Sequence, residues 1–298
     1  MSAVRSSQET ITPSMIQTSK SPSRISVSPL AGTLGAQVDG VDLTGPLSEE
    51  LLDEIKSAFY EHLVLVFPEQ SIAPADQVAF TRQFGPVEGH PLSPRKGVEG
   101  FPEVLVFENK PGTPGSRNDF WHSDISFAET PPAVSVLYGR TITPGCGDTM
   151  FCNMYRAYEE LSEGMRRMLD RLTALHTSEG LALRNRDTNS DGLPIFDIPP
   201  PSRHPVVRTH AVTNRKSLYV NPYFTSQFNE MTRDESRPLL EYLYARAARP
   251  ENVYRHSWSQ GDLLMWDNRC AMHYAVYDYD DSQPRLMHRT TAGGDRPS

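Results

Sequence analysis

Short apolar segments that follow one another through turns, several with no helix between them, constrain this chain more than any other feature. They are Ala133 to Tyr138, Thr149 to Phe151, Val206 to Thr209, Ser217 to Val220, Asp262 to Trp266 and Arg285 to Thr291. Parallel strands need a long crossover, usually a helix, so strands joined by turns pair antiparallel and pack as a sandwich or a barrel.

The first part of the chain supplies strands and helices to pack against that sheet. Ile25-Ser26-Val27-Ser28-Pro29-Leu30 alternates as a strand does, and Ser48 is placed to cap a helix with Leu51, Leu52, Ile55, Ala58 and Phe59 at helical spacing. The run Leu63-Val64-Leu65-Val66-Phe67 ends at Pro68 and reads as a buried strand, and Pro74 opens a second helix that stops at Gly85. From Gly85 to Asn118 the chain is Pro/Gly-rich and loop-like apart from Val104 to Phe107.

Two more helices are predicted. One spans about Tyr155 to Leu175, with Leu161, Met165, Met168, Leu169 and Leu172 on one side; the other begins at the capping box Thr232-Arg233-Asp234-Glu235. Between them, Ser178 to Pro205 is rich in Asn, Asp and Pro, as in a mobile flap. Residues 1–25 are rich in Ser and Thr and poor in large apolar side chains, which predicts a disordered N-terminal tail before a single domain over 26–298. An organellar presequence has a similar composition, although no amphipathic stripe accompanies it.

Composition removes several functional classes. With 29 basic against 37 acidic side chains and a net charge of -8, there is no basic field to attract a nucleic-acid backbone. No apolar run reaches the length of a membrane span, so no membrane partner is expected. Cys146, Cys152 and Cys270 are too few and too irregularly spaced for a disulfide framework or a thiolate metal site, which points to a reducing, cytoplasmic setting.

The chemistry-bearing residues begin with His122 and Asp124, two apart, a spacing that in a strand aims both at one face. Alone they read equally well as a solvated polar pair. A candidate third ligand, His273, lies just beyond the strand and turn of Gly261 to Met272. Two imidazoles and one carboxylate on one side of a metal leave three adjacent positions open, as in non-haem Fe(II) oxygenases. Gly147-Asp148-Thr149 adds a hydroxyl after a Gly turn. Arg285 and Arg289, four apart in a strand-like segment, share a face, and a buried guanidinium pair there needs anionic partners.

These motifs occur in a fixed order: Trp121-His122-Ser123-Asp124-Ile125-Ser126-Phe127, Thr130-Pro131-Pro132-Ala133, Gly147-Asp148-Thr149, Trp266-Asp267-Asn268-Arg269 with His273, and Arg285-Leu286-Met287-His288-Arg289. The assembly resembles the taurine dioxygenase / 2,4-dichlorophenoxyacetate dioxygenase family, from roughly Ile25 to the end. The resemblance implies a mainly β fold with flanking helices on a double-stranded β-helix (jelly-roll, cupin-like) core. It implies Fe(II) held by His122, Asp124 and His273, with 2-oxoglutarate and O2 as cosubstrates and the distal carboxylate of 2-oxoglutarate on Thr149 and Arg285. Arg289 matches the position that pairs with the substrate's anion, and His90, Asn118 and Phe224 match pocket positions of the taurine-using members.

The reaction so implied is hydroxylation of a small anionic organic substrate, a sulfonate, alkyl sulfate or aryloxyalkanoate, at a C–H near a heteroatom. One departure bears on the substrate. Three residues past the pocket histidine those enzymes carry a tyrosine, and this chain has Ser93, which removes an aromatic wall. The family also implies a homodimer or homotetramer. Two competing readings stay open: the same chemistry on an amino acid or natural-product carboxylate, and a non-catalytic barrel protein whose metal is structural.

Overall fold

A computed structural model of the chain describes residues 25–89, 97–109, 118–188, 198–280 and 282–298. The predicted disordered tail lies outside these residues except for Ile25, which is buried in a core cluster rather than disordered. His90 and Ser93 also lie outside them.

The helix Glu49–His62 starts where expected, with Ser48 Oγ accepting from the Leu51 N–H and Glu49 and Glu50 in the first turn, where carboxylates oppose the helix dipole. It ends at Leu63, whose left-handed backbone (φ 64°) donates its N–H to the Phe59 carbonyl and turns the chain directly into the strand Val64–Phe67. That strand is apolar at every position because it is covered on both faces. Leu65 and Phe67 pack toward the helix with Ile55 and Phe59, whereas Val64 and Val66 pack with Phe151 and Trp266. Each such buried side chain contributes about 1.5–3 kcal/mol of transfer free energy.

Val64–Phe67 lies third in an eight-stranded sheet whose order is Ser26–Pro29, Ala36–Asp39, Val64–Phe67, Leu263–Asp267, Val134–Thr141, Arg285–Ala292, Phe101–Asn109 and Gly97–Val98. All its pairings are antiparallel except that of Ala36–Asp39 with Val64–Phe67. Thr149–Asn153 is the middle strand of a second sheet, between Val253–His256 and Ala271–Ala275. Phe151 of the middle strand shares a cluster with Val64, Val66, Leu264 and Trp266, so the second sheet packs on the face of the first that points away from Glu49–His62. The mainly β architecture with flanking helices therefore stands as expected. No helix among the described residues is long and apolar enough to cross a membrane.

Two expectations are corrected. The single helix over about 155–175 is instead two helices, Met154–Glu159 and Glu163–Leu169, followed by the strand Thr173–His176. Ser162 has an extended backbone and its hydroxyl accepts from the Met165 N–H, so a fresh cap interrupts the apolar stripe. Leu161, Met165, Leu169 and Leu172 still converge on one cluster, but Met168 is 42% exposed. The expected flap 178–205 contains the helix Glu179–Thr188 and the strand Ser202–Pro205, which pairs with Thr173–His176; residues 189–197 lie outside the description. The Thr232 capping box opens Arg233–Ala247 as predicted.

Candidate active site

His122 and Asp124 do not lie along one strand. His122 forms an isolated bridge with His273, the N–H of each donating to the other's carbonyl at 3.0 and 2.8 Å, and the chain then turns through Ile125 at φ 50°. Asp124 thus meets the two imidazoles from a turn rather than along a strand. Its Oδ1 lies 3.9 Å from Nε2 of His122 and 3.9 Å from Nε2 of His273, and the ring centroids are 4.1 Å apart. All three residues are buried, with one ligand atom from each within 4.8 Å of the others.

The protonation states suit a metal. His122 Nδ1 is 2.9 Å from the Phe120 carbonyl, which can only accept, so the proton sits on Nδ1 and the Nε2 lone pair faces Asp124. Burial holds the His273 imidazole well below its ordinary pKa, with His122 adding to the effect. Burial pushes the Asp124 carboxyl up, but the Arg289 guanidinium, His273, His122 and the Ser135 hydroxyl outweigh it and keep the group below the usual carboxylate range. An ionised carboxylate beside neutral imidazole is the ligating form of this set, and two nitrogens and one oxygen fit Fe(II) with open positions.

A second buried group, His210, Asp267 and Cys270, has similar spacing but different chemistry. Asp267 accepts from Arg269 Nε and Nη2 at 2.8 and 2.7 Å, from the Arg269 N–H at 3.0 Å and from His210 Nε2 at 3.0 Å. Burial and Asp267 hold the Cys270 thiol well above its ordinary pKa. With both oxygens engaged and the thiol protonated, this is a clasp that holds the turn between Leu263–Asp267 and Ala271–Ala275.

A cavity opens in front of the triad and collects most of the predicted residues: His122, His273, Thr149, Arg285, Arg289 and Asn118 all line it. Arg285 and Arg289 share a face of Arg285–Ala292 with Met287, as their even spacing required. Among the described residues no carboxylate lies within salt-bridge distance of Arg285, whose guanidinium stands 5.7 Å from the Tyr279 ring centre. Burial lowers its pKa, the mark of a cation short of a counter-charge. Thr149 Oγ1 accepts from the Trp258 indole at 3.0 Å, so its own proton is free for an anion. Asp148 faces away and pairs with Arg255 at 2.6 Å.

Arg289 points at the triad itself, with Nη1 donating to Asp124 Oδ1 at 3.0 Å and a buried Nε that has no hydrogen-bond partner among the described residues. Phe224 packs with Ile125 and Phe127, its ring 6.2 Å from that of His122. The Asn118 carbonyl accepts from Ala275 N–H at 3.2 Å. Trp258, Tyr279 and Ser135 were not anticipated. Ser135 carried a signal, a small polar residue inside the apolar run Ala133 to Leu137, whereas Trp258 and Tyr279 had none that would separate them from packing aromatics.

Gly147 permits the Arg285 position. Its φ is +68°, and an added Cβ would collide with Arg285 Nη1. Gly147→Ala should therefore displace the guanidinium and weaken 2-oxoglutarate binding by about ten-fold or more, given roughly 1–3 kcal/mol for such strain. A titration of 2-oxoglutarate into anaerobic metal-loaded protein measures this, and unchanged affinity would sink the assignment of Arg285.

Comparison with known proteins agrees with this geometry. The sequence model described as "Taurine catabolism dioxygenase TauD, TfdA family" matches residues 26–291. The chain is 32% identical over 284 residues to an alpha-ketoglutarate-dependent sulfate ester dioxygenase of Pseudomonas putida, covering 92% of this chain and 91% of the relative. It is 34% identical over 278 residues to an alpha-ketoglutarate-dependent 2,4-dichlorophenoxyacetate dioxygenase of Burkholderia sp. (strain RASC), covering 87% and 91%. The crystal structure of a taurine dioxygenase from Burkholderia xenovorans superposes with a TM-score of 0.78 at 35% identity, covering 92% of this chain and 91% of that one.

Proposed function

The chain belongs to the taurine catabolism dioxygenase TauD, TfdA family and is a 2-oxoglutarate-dependent dioxygenase; from that premise we propose that it is an Fe(II) enzyme hydroxylating a small anionic substrate at a C–H beside a heteroatom. The substrate class is a sulfonate, an alkyl sulfate or an aryloxyalkanoate, and succinate and carbon dioxide are the coproducts. The observation that carries this reading is the clustering of His122, Asp124 and His273, two of which line one cavity together with two separate guanidiniums, Arg285 and Arg289. Relatives named for sulfate esters and for 2,4-dichlorophenoxyacetate support the substrate class. We read residues 26–298 as one domain, and its antiparallel sheets as the double-stranded β-helix core of the family.

His122, Asp124 and His273 would hold the metal. Bound Fe(II) supplies dioxygen activation at the expense of 2-oxoglutarate. Arg285 and Thr149 anchor the distal carboxylate of that cosubstrate, one by charge and one by its free hydroxyl proton. Arg289 clamps the substrate's anion and Asn118 lines the same cavity; Phe224, whose ring lies 6.2 Å from that of His122, and His90 are substrate positions by resemblance to the taurine-using members. A clamped anion fixes which carbon faces the metal and leaves the rest of the molecule free to vary. Hydroxylation beside sulfur or an ether or sulfate oxygen gives a product that fragments, releasing sulfite, sulfate or a phenol with a carbonyl compound.

A panel of sulfonates, alkyl sulfates, aryloxyalkanoates and amino acids, scored by succinate released above the substrate-free rate, tests the reading. At least one of the first three classes should stimulate succinate formation. Stimulation by amino acids alone would replace the proposed class.

A further inference from the structure

We propose that Trp266, Asn268 and Ser135 form a relay of ordered protons that commits Asp124 to its metal through one oxygen, Oδ1; this rests on the reading of His122, Asp124 and His273 as the Fe(II) ligands. The relay begins at the Trp266 indole N–H, which can only donate, and which lies 2.9 Å from Asn268 Oδ1. That contact settles which way round the Asn268 amide sits. Its Nδ2 is then the atom 2.9 Å from Ser135 Oγ, and it donates. A hydroxyl has one proton, and with Asn268 donating to its oxygen the Ser135 proton goes to Asp124 Oδ2 at 2.6 Å. The backbone N–H of Asp124 closes the loop by donating to Asn268 Oδ1 at 3.4 Å. All three relay residues are buried, so bulk water does not compete for these bonds.

The two carboxylate oxygens of Asp124 are thereby made different. Oδ2 holds a short, charge-assisted bond from Ser135 in the interior, while Oδ1, which also accepts from Arg289 Nη1 at 3.0 Å, is the oxygen that faces both imidazole Nε2 atoms at 3.9 Å. Three single-atom protein ligands leave three adjacent positions, two for 2-oxoglutarate and one for dioxygen. A carboxylate that turned both oxygens to the metal would take one of them. Ser135 and Asn268 are positioning residues: they touch neither cosubstrate nor substrate, and they hold Oδ2 out of the coordination sphere.

Ser135→Ala removes the proton that occupies Oδ2. Asn268→Asp keeps an acceptor for Trp266 but offers the Ser135 hydroxyl a competing carboxylate. Each protein is titrated anaerobically with Co(II), followed by its visible absorption, and the Co(II)-loaded protein is then titrated with 2-oxoglutarate. Both variants should bind one Co(II) and bind 2-oxoglutarate about ten-fold more weakly than wild type, while Ser135→Thr, which keeps the hydroxyl, stays closer to wild type than either. Unchanged 2-oxoglutarate affinity in both Co(II)-loaded variants overturns the relay and leaves the metal site standing. So does loss of Co(II) binding in both with circular dichroism unchanged, since the relay would then govern metal capture rather than denticity. Failure of the wild-type protein to bind Co(II) overturns the reading of the site and the relay with it.

Discussion

His122→Ala should abolish oxygen consumption and succinate formation in the presence of Fe(II) and 2-oxoglutarate, by about a thousand-fold or more, the scale of a loss of about 4 kcal/mol in transition-state stabilisation. The argument is local. His122 Nε2 is one of the three candidate ligand atoms grouped here among the described residues, its lone pair is aimed inward by the Nδ1 contact with the Phe120 carbonyl, and Ala offers no donor in its place. The backbone bridge to His273 does not depend on the side chain, so the fold should persist. Circular dichroism and an oxygen electrode check the two halves of the prediction. Full activity in a folded variant would remove His122 from the metal site.

Arg289→Ala should divide the reaction. Coupled turnover of the anionic substrate should fall by about a hundred-fold or more, since removing one partner of a buried charge pair costs roughly 3–5 kcal/mol. Slow succinate formation without substrate should survive if Arg285 and Thr149, which line the same cavity, are the anchors of the cosubstrate. Arg289 also donates to Asp124 Oδ1, so Co(II) affinity should be measured alongside; it should hold or rise once a cation 3.0 Å from a ligand atom is removed. Equal loss of coupled and uncoupled succinate would argue against separate tasks for the two arginines.

The candidate ligands His122, Asp124 and His273 were legible in the sequence, because a metal site needs particular atoms, and the structure brings one atom from each within 4.8 Å of the others. The sequence did not carry their backbone. Asp124 sits in a turn, and His122 beside it is held by a bridge to His273, a partner distant in the chain. The strands were readable where burial on both faces makes an unbroken apolar run, as in Val64–Phe67. The interruption at Ser162 was not, since Leu161, Met165 and Leu169 keep helical spacing across it and end in the same core. The even spacing of Arg285 and Arg289 placed both in the cavity, whereas the engagement of Arg289 with Asp124 depends on three-dimensional contacts that spacing does not encode.

The reciprocal bond between His122 and His273 also determines when the site can exist during the life of the chain. The two imidazoles are stitched together by their own main chains, one from the middle of the sequence and one near its end. A nascent chain still lacking Ala271–Ala275 has no place to put the second histidine, however well its earlier strands have assembled. An ion held by His122, Asp124 and His273 together would therefore draw stability from the whole topology rather than from one hairpin.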